Sequence, residues 1–422
     1  MSLLIKRATV VDPDSPFHGQ EKDILIENGI IAEVSDSIDL EKGMVVTYPN
    51  LKVSRGWLDL HVDFADPGNE DQESIETGLE CAAAGGFTGV GLVPSTQPVL
   101  DSKADIEYVL GKSSNSPCQI FPLGAATKGL EGKELTEMHD MKSAGAFGFT
   151  NDFLSNMKAD MLELVMRYAH SVQGVFFFHP EEISLNQGGQ MHEGMISTRM
   201  GLKGMPLIAE EIALQTCLKL AGYNKIPVHI MGLSSKSGLE IIKEAREQGA
   251  EVTCDVNVMN LVYTEEDLLG YPTEFKLRSP LRCKEDREAL VQGVLDGSIE
   301  SISSDHRPVR EEGKNCEFDL ADFGAIGLQT CYNLCLKAFA GKDLEKWLPA
   351  LYRGGEHVFN LEPSPIEKGE YARLSLFSDQ GDFKLNRETN LSKSKNSPVW
   401  NQSLKGEVYG IVNGRDYYLK EN

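Results

Sequence analysis

Hydrophobic and polar positions alternate at the two ends of this chain in the manner of short half-buried strands. Near the start the runs LLIKRATVV and DILIENGIIAEVS show this alternation, and Asn28-Gly29 stands where a two-residue hairpin turn is expected. Near the end it returns in YARLSLF and GEVYGIVNGRDYYL, with Asn413-Gly414 as a second hairpin signal. These patterns predict two small β segments at the termini.

The long middle of the chain has a different period. From Trp57 onward, short apolar runs alternate with amphipathic stretches, as in the segment where Ile75, Leu79 and Ala82 recur at helical spacing. Later apolar runs with the character of buried strands are CQIFPLG, AFGFT, VFFFH, IPVHIM, EVTCDV and SIESISSD. Strands that alternate with helices predict parallel strands joined by helical crossovers.

About eight such units predict a closed barrel. We therefore predict an α/β fold in which residues 56–358 form a (β/α)8 TIM-type barrel. Residues 1–55 and 359–422 are expected to meet as one small β-sandwich beside it. A barrel with a smaller second domain fits a chain of 422 residues.

Composition narrows the range of partners and compartments. The chain is 41% hydrophobic and 25% charged, and 64 acidic residues against 41 basic ones give a net charge of -23. This balance disfavours nucleic acid and anionic membranes as partners. The chain has neither a span of about 20 apolar residues nor a signal-peptide pattern, and its eight cysteines contain no CxxC motif. We expect a cytoplasmic protein with reduced thiols.

Polar side chains stand at or near the carboxyl ends of five predicted barrel strands, where such folds keep their chemistry. They are His61 with Asp63, Asp152, His179, His229 and Asp305. A histidine and an aspartate two residues apart on a strand point to the same side, which is a metal-ligand spacing. A divalent metal there would polarise a carbonyl group and lower the pKa of a bound water to about 7. An aspartate beside that water would act as general base and then as acid.

Packing alone offers other interpretations of the same residues. His61 could be a core histidine that hydrogen-bonds to a neighbouring carboxylate. Asp305 could cap a helix, and His179 could be a satisfied core imidazole. His229 lies in mid-strand before Met231, a position that favours a structural hydrogen bond.

The motifs of the chain, taken in order, resemble those of class I dihydroorotases in the amidohydrolase superfamily. They are GWLDLHVDFADPG, ETGLECAAAGGFTGVGLVPSTQP, GAFGFTND, GGQMHEGMISTRMGLKGMP, SSDHRP, FDLADFGAIGLQT and SKSKNSP. They cover essentially the whole chain. The resemblance implies a metal-bearing (β/α)8 barrel with a β-sandwich made from both termini, and a hydrolase of pyrimidine biosynthesis.

The resemblance also implies roles for the strand-end residues. His61 corresponds to the first histidine of the family's HxH pair, and Asp63 replaces the second. Asp152, with Asn151 as the adjacent alternative, corresponds to the metal-bridging aspartate. His179 corresponds to a further metal histidine.

Two more positions decide how much of the metal site is kept. Asp305 corresponds to the aspartate that both binds metal and shuttles the proton, whereas Gly232 stands where the family has its remaining metal histidine and offers no donor. The second metal position would retain only Asp152 and His179. One site could still be built, since carboxylates also bind divalent ions. We expect zero or one divalent ion, with zinc as the expected metal, held by His61, Asp63, Asp152, His179 and Asp305.

The substrate contacts implied by the resemblance are altered as well. Ala65 replaces the arginine that holds the substrate carboxylate, and Ser95 replaces the asparagine of the PNT motif. An asparagine before PLR corresponds to Arg278 or Ser279. Losing a bidentate arginine without replacement should weaken binding of dihydroorotate by a few kcal/mol. Arg278 or Arg307 could compensate, but a surface arginine paired with an acidic residue is the commoner role.

These departures leave two functional hypotheses. The first is a weak or inactive dihydroorotase homologue that acts as a structural or regulatory partner of aspartate transcarbamoylase, a role that the family is known to include. Changes at Asp63, Ala65, Ser95 and Gly232 motivate it, together with Val309, which corresponds to the histidine of the family's DHAPH motif. The second is an active mononuclear metal-dependent amidohydrolase whose substrate is dihydroorotate or a related cyclic amide. A homo-oligomer is expected in either case.

Overall fold

The computed structural model of the protein describes residues 2–154 and 157–421. Its first strands are β1 (Ser2–Val10), β2 (Glu21–Glu27), β3 (Ile30–Ser35), β4 (Met44–Val46) and β5 (Lys52–Arg55). Strands β2 and β3 pair antiparallel around Asn28-Gly29, so the first hairpin prediction is confirmed.

A second group of strands forms the barrel. It consists of β6 (Trp57–Val62), β7 (Phe87–Leu92), β8 (Gln119–Ala125), β9 (Gly148–Thr150), β10 (Val175–Phe178), β13 (Val228–Ile230), β14 (Val252–Asn257) and β15 (Ser301–Ser303), while β11 (Met191–His192) and β12 (Gly204–Met205) form a separate parallel pair. Within the described residues the eight barrel strands follow one another in the order β6 to β15. The two ends of that order meet where Ser304 N donates to Asp59 Oδ2 at 2.8 Å. The predicted TIM-type barrel is confirmed.

Helices connect the barrel strands. Their bounds are α1 (Ile75–Ala84), α2 (Lys103–Ser113), α3 (Met138–Ala144), α4 (Ala159–Ser171), α5 (Met195–Met200), α6 (Leu207–Asn224), α7 (Lys236–Glu247), α8 (Val258–Val262), α9 (Lys284–Leu295), α10 (Glu311–Lys314), α11 (Cys331–Ala338) and α12 (Arg353–Val358). Helix α1 shows why the helical spacing in the sequence predicted a helix correctly. Ser74 caps it by accepting from Thr77 N, and Ile75, Leu79 and Ala82 form its buried face. No helix in the described part of the chain is long and apolar enough to cross a membrane.

The C-terminal strands return to the N-terminal ones. Strands β16 (Arg373–Lys384), β17 (Ser403–Asn413) and β18 (Asp416–Leu419) extend the sheet in the order β18-β17-β16-β5-β1-β2-β3, and β4 pairs with β1. The β17–β18 hairpin turns at Asn413-Gly414, as predicted. Both termini therefore build one mixed sheet, consistent with the predicted sandwich.

A buried serine joins this sheet to the barrel. Ser375 Oγ donates to Gly86 O at 2.6 Å and accepts from Trp57 N at 2.9 Å. The barrel interior below the strand ends is filled by apolar side chains, among them Leu60, Phe177 and Phe359. The barrel is thus a packed core, and polar groups have room at its carboxyl end.

Candidate functional site

The polar residues singled out in the sequence lie at one end of the barrel. His61 is the penultimate residue of β6 and Asp63 follows that strand; Asp152 follows β9, His179 follows β10, and Asp305 follows β15. Asp152 and Asp305 have φ angles of 49° and 44°, so both side chains leave their strands from left-handed backbone. His229 lies within β13, as expected for a residue with a structural role.

An arginine stands at the centre of three of these carboxylates. Arg307 Nη1 and Nη2 donate to the two oxygens of Asp152 at 2.9 and 2.7 Å, and its Nε donates to Asp305 Oδ1 at 2.8 Å. Its Nη1 is also 3.9 Å from Asp63 Oδ2. The ring of Phe153 covers the guanidinium, with its centroid 3.8 Å from Cζ. The carboxylates predicted to bind metal are therefore bound to a fixed cation of the chain itself.

A further aspartate, Asp255 on β14, contacts two histidines of the barrel, His61 and His229. Asp255 is fully buried, and its Oδ1 lies 2.9 Å from His61 Nε2 while its Oδ2 lies 2.9 Å from His229 Nε2. Gly232 N and Ser303 Oγ donate to the same carboxylate at 2.9 and 3.0 Å. The alternative interpretation of His61 as a core histidine paired with a carboxylate matches this geometry.

Sequence reasoning missed Asp255 as a site residue. The available signal was its charge, because EVTCDV is otherwise a buried strand and an ionised side chain within such a strand needs a partner. Arg307 was considered only as a substitute anchor for substrate. Arg307 contacts Asp152 across the barrel, from the end of one strand to the end of another. Local sequence patterns cannot predict such a pair, because the two residues are far apart in the sequence.

The electrostatics of the site follow from these contacts. Burial alone would lower the pKa of His61, but the carboxylates of Asp255 and Asp305 outweigh it and raise that pKa well above its usual value. Burial raises the pKa of Asp63. Burial acts in the same direction on Asp305, yet Arg307 and His61 hold the pKa of Asp305 below its usual value.

His179 is a different case from His61. Burial lowers its pKa to about 3, so its imidazole is neutral, and the edge of Phe153 packs against it with ring centroids 4.5 Å apart. Its Nδ1 is buried and has no hydrogen-bond partner among the described residues. This is an available imidazole nitrogen at the mouth of the barrel.

The positions expected to hold substrate are also engaged within the protein. Ser95 Oγ donates to Asp152 Oδ2 at 2.5 Å. Arg278 donates from Nε and Nη2 to the two oxygens of Glu181, at 2.9 and 2.8 Å. Ala65 has no polar side chain, and its backbone N donates to Asp63 Oδ1 at 2.7 Å. The hydroxyl of Ser95 is thus used within the protein, and one edge of the Arg278 guanidinium is bound to Glu181.

These residues do not fit a bound divalent ion in the arrangement found. Asp152 and Asp305 bind Arg307, His61 Nε2 binds Asp255, and Gly232 has no side-chain donor. Across residues 2–154 and 157–421, no group of three or more His, Cys, Asp or Glu side chains is arranged to hold a metal ion.

Comparison with known proteins places this chain in a family. The dihydro-orotase-like family model matches residues 52–237. The dihydroorotase of Acetivibrio thermocellus is 34% identical over 417 residues, covering 98% of both chains, and that of Pelotomaculum thermopropionicum is 36% identical over 419 residues, also covering 98% of each. This chain belongs to the dihydroorotase family.

Solved structures of hydantoinases agree with the architecture. An L-hydantoinase (dihydropyrimidinase) from Arthrobacter aurescens superposes with a TM-score of 0.86 over 100% of this chain and 96% of the other, at 21% identity. At that identity the likeness concerns the fold. The membership in the dihydroorotase family confirms the resemblance drawn from the sequence motifs, and the ligand roles of individual residues stay predictions.

Proposed function

We propose that this chain is a dihydroorotase homologue of pyrimidine biosynthesis in the cytoplasm that hydrolyses dihydroorotate poorly or not at all. The observation that carries the proposal is the bidentate pair of Arg307 with Asp152, extended to Asp305. Arg307 thereby binds Asp152, which is expected to bridge metals, and Asp305, which is expected to move the proton. A general base that is already bound to a guanidinium is a poor proton acceptor, because the ion pair favours its charged form.

The absence of substrate anchors supports the same conclusion. Ala65 offers no charge to a substrate carboxylate, and the guanidinium of Arg278 is already bidentate to Glu181. Glu181 holds one edge of the Arg278 guanidinium and offsets its charge, so a substrate carboxylate would gain less from this arginine than from an unpaired one. Both ground-state binding and transition-state stabilisation should therefore be weak.

The test is hydrolysis of dihydroorotate by the purified full-length chain with added Zn²⁺, run beside the Acetivibrio thermocellus dihydroorotase. We expect the relative to turn over and this chain to show little or no rate above background. A turnover number in the ordinary enzyme range of about 1 to 1,000 per second would overturn the proposal.

We further propose that the chain serves as a structural or regulatory partner of aspartate transcarbamoylase. The support is the resemblance to a family that includes such partners, together with a well-packed barrel whose catalytic positions are engaged internally. Size-exclusion chromatography and pull-down from the native source should recover the chain with the transcarbamoylase. Recovery of the chain alone, with the transcarbamoylase at its free elution volume, would contradict this.

One observation favours an active mononuclear cyclic amidohydrolase as a second candidate. The unpartnered Nδ1 of the neutral His179 is a ready metal ligand close to Asp152 and Arg307. A metal held there would require Arg307 to release at least one carboxylate. Hydrolysis of dihydroorotate or a related cyclic amide that appears only with added divalent ion would favour this candidate over the first.

A further inference from the structure

The loop that carries Arg307 is anchored on both sides. Arg307 N donates to Ala325 O at 2.9 Å, and Asn396 Nδ2 donates to Arg307 O at 2.9 Å. Asn396 Oδ1 also accepts from Val309 N at 3.1 Å. The segment SKSKNSP, which contains Asn396, thus holds the backbone from which the guanidinium reaches into the site.

Almost no water reaches the ion-pair cluster that this loop completes. The side chain of Arg307 is 9% exposed, that of Asp152 is 1% exposed and that of Asp305 is 4% exposed. Removing one partner from a buried ion pair leaves an uncompensated charge, which is far more costly than the loss of an exposed pair. The buried carboxylates therefore need a cation beside them. Here that cation is the guanidinium of Arg307, a side chain of the same protein.

If the guanidinium were absent, His61 could supply a metal ligand in addition to the carboxylates. Its Nδ1 is buried, has no hydrogen-bond partner among the described residues, and lies 3.4 Å from Asp305 Oδ1. Once a metal displaces the proton from Nδ1, this imidazole nitrogen beside carboxylate oxygens is a donor set suited to a divalent transition metal. In the present arrangement Arg307 Nε already donates to Asp305 Oδ1.

We propose that Arg307 takes the place of a divalent cation at the mouth of this barrel, and that its guanidinium keeps the folded chain independent of metal. It follows that shortening Arg307 should destabilise the metal-free protein and create a site for one divalent ion between Asp63, Asp152, Asp305 and His61. The inference concerns the same residues as the proposed function. Because it is measured by metal binding and thermal stability, not by turnover, either can fail without the other.

The experiment compares the full-length wild-type chain with Arg307→Ala after removal of metal by EDTA. The melting temperature of the wild type should be the same in EDTA and in Zn²⁺ or Co²⁺. Arg307→Ala should melt about 3 to 6 °C lower in EDTA and recover most of that loss in either ion. With Co²⁺ it should show visible absorption at about one equivalent of bound ion.

Two control variants separate charge replacement from general disruption. Arg307→Lys keeps a cation and should gain no Co²⁺ site. Arg278→Ala removes another bidentate arginine, the partner of Glu181, and should also gain none. If Arg307→Ala does not fold, the double variant Arg307→Ala with Asp152→Asn removes both charges of the main pair and should fold. Failure of that double variant as well would contradict a role based on charge.

Two results would overturn the proposal. One is a wild-type protein whose melting temperature falls in EDTA and recovers with Zn²⁺. The other is a folded Arg307→Ala protein that is as stable as the wild type in EDTA and binds no Co²⁺.

Discussion

At the scale of single residues, two side chains, Arg307 and Asp255, make the central contacts of the site. Sequence patterns did not predict these contacts. Arg307 binds Asp152 and Asp305, and Asp255 binds His61 and His229. His61 lies between the two groups, because its Nδ1 is also 3.4 Å from Asp305 Oδ1. Each of these contacts joins different strand ends across the barrel. Local spacing identified the polar residues and their common end of the barrel, but it could not identify which of them would pair with one another.

The first prediction concerns Asp255. Asp255→Ala leaves His61, His229, Ser303 Oγ and Gly232 N without their shared acceptor. We expect a loss of about 3 to 5 kcal/mol in the free energy of unfolding, since a buried pair is broken from one side. Urea denaturation measures it.

The control for this variant is Asp140→Ala, at an exposed aspartate in α3, which should change stability by less than about 0.5 kcal/mol. Equal midpoints for the Asp255 and Asp140 variants would contradict the assigned role of Asp255.

A second prediction concerns pH and His192. Burial and the neighbouring Arg282 lower the pKa of His192 from 6.5 to about 4, and Arg282 Nη1 lies 3.1 Å from its Nδ1. Above pH 6.5 the imidazole is neutral in both folded and unfolded states. As pH falls from 6.5 toward 4 the unfolded state binds a proton that the folded state does not, so stability is lost at up to about 1.4 kcal/mol per pH unit.

Replacing His192 with glutamine, which keeps an acceptor for Arg282, should flatten that part of the stability profile. His139→Gln is the matched control, because His139 is exposed and its removal should leave the profile unchanged. A profile of His192→Gln that coincides with the wild type between pH 6.5 and 4 would rule out this account.

At the scale of elements, the connection after β13 bears on Gly232, where the resemblance to the family implies a metal histidine. Gly232 has a φ of +62°, and a Cβ placed there would lie 2.5 Å from Ser279 Oγ. Its backbone N is also fixed by Asp255. The conformation of this loop suits a residue without a side chain. The sequence of the strand VHI alone does not predict that conformation.

We therefore predict that Gly232→His destabilises the chain by about 1 to 3 kcal/mol, from left-handed backbone and from the steric clash. Gly249→His is a matched control, because Gly249 has a φ of +89° and no atom within 4 Å of an added Cβ. Urea denaturation should show the larger loss for Gly232→His, and adding Ser279→Ala should recover part of it. Equal losses for the two glycine variants would show that the clash is absent.

Elements themselves were predictable from the sequence wherever period and turn chemistry agreed. Helix α1 has both a capping serine, Ser74, and an apolar face at helical spacing. The hairpins at Asn28-Gly29 and Asn413-Gly414 have the residues that their turns require. The connections at the carboxyl ends of the strands have no such period, and their conformations depend on tertiary contacts.

At the scale of the whole molecule, the terminal sheet and the barrel form one packed structure. Ser375 satisfies backbone groups of both β6 and the turn before β7, and Asn396 of the C-terminal segment holds the Arg307 loop. Residues from the last sixth of the chain thus support a site built on the barrel. From this support, and from the contacts of Arg307 with the expected metal ligands, we predict a fold that is stable without a bound ion.

The metal content of the native protein tests this account most directly. Tag-free protein purified from its own source without chelator, dialysed and then subjected to elemental analysis, should contain well below one equivalent of zinc or any other divalent transition metal per chain. This is expected because Arg307 binds both Asp152 and Asp305, and Asp255 binds His61 Nε2. One or two equivalents that survive dialysis would contradict the account and show that a metal ion, not Arg307, binds those carboxylates.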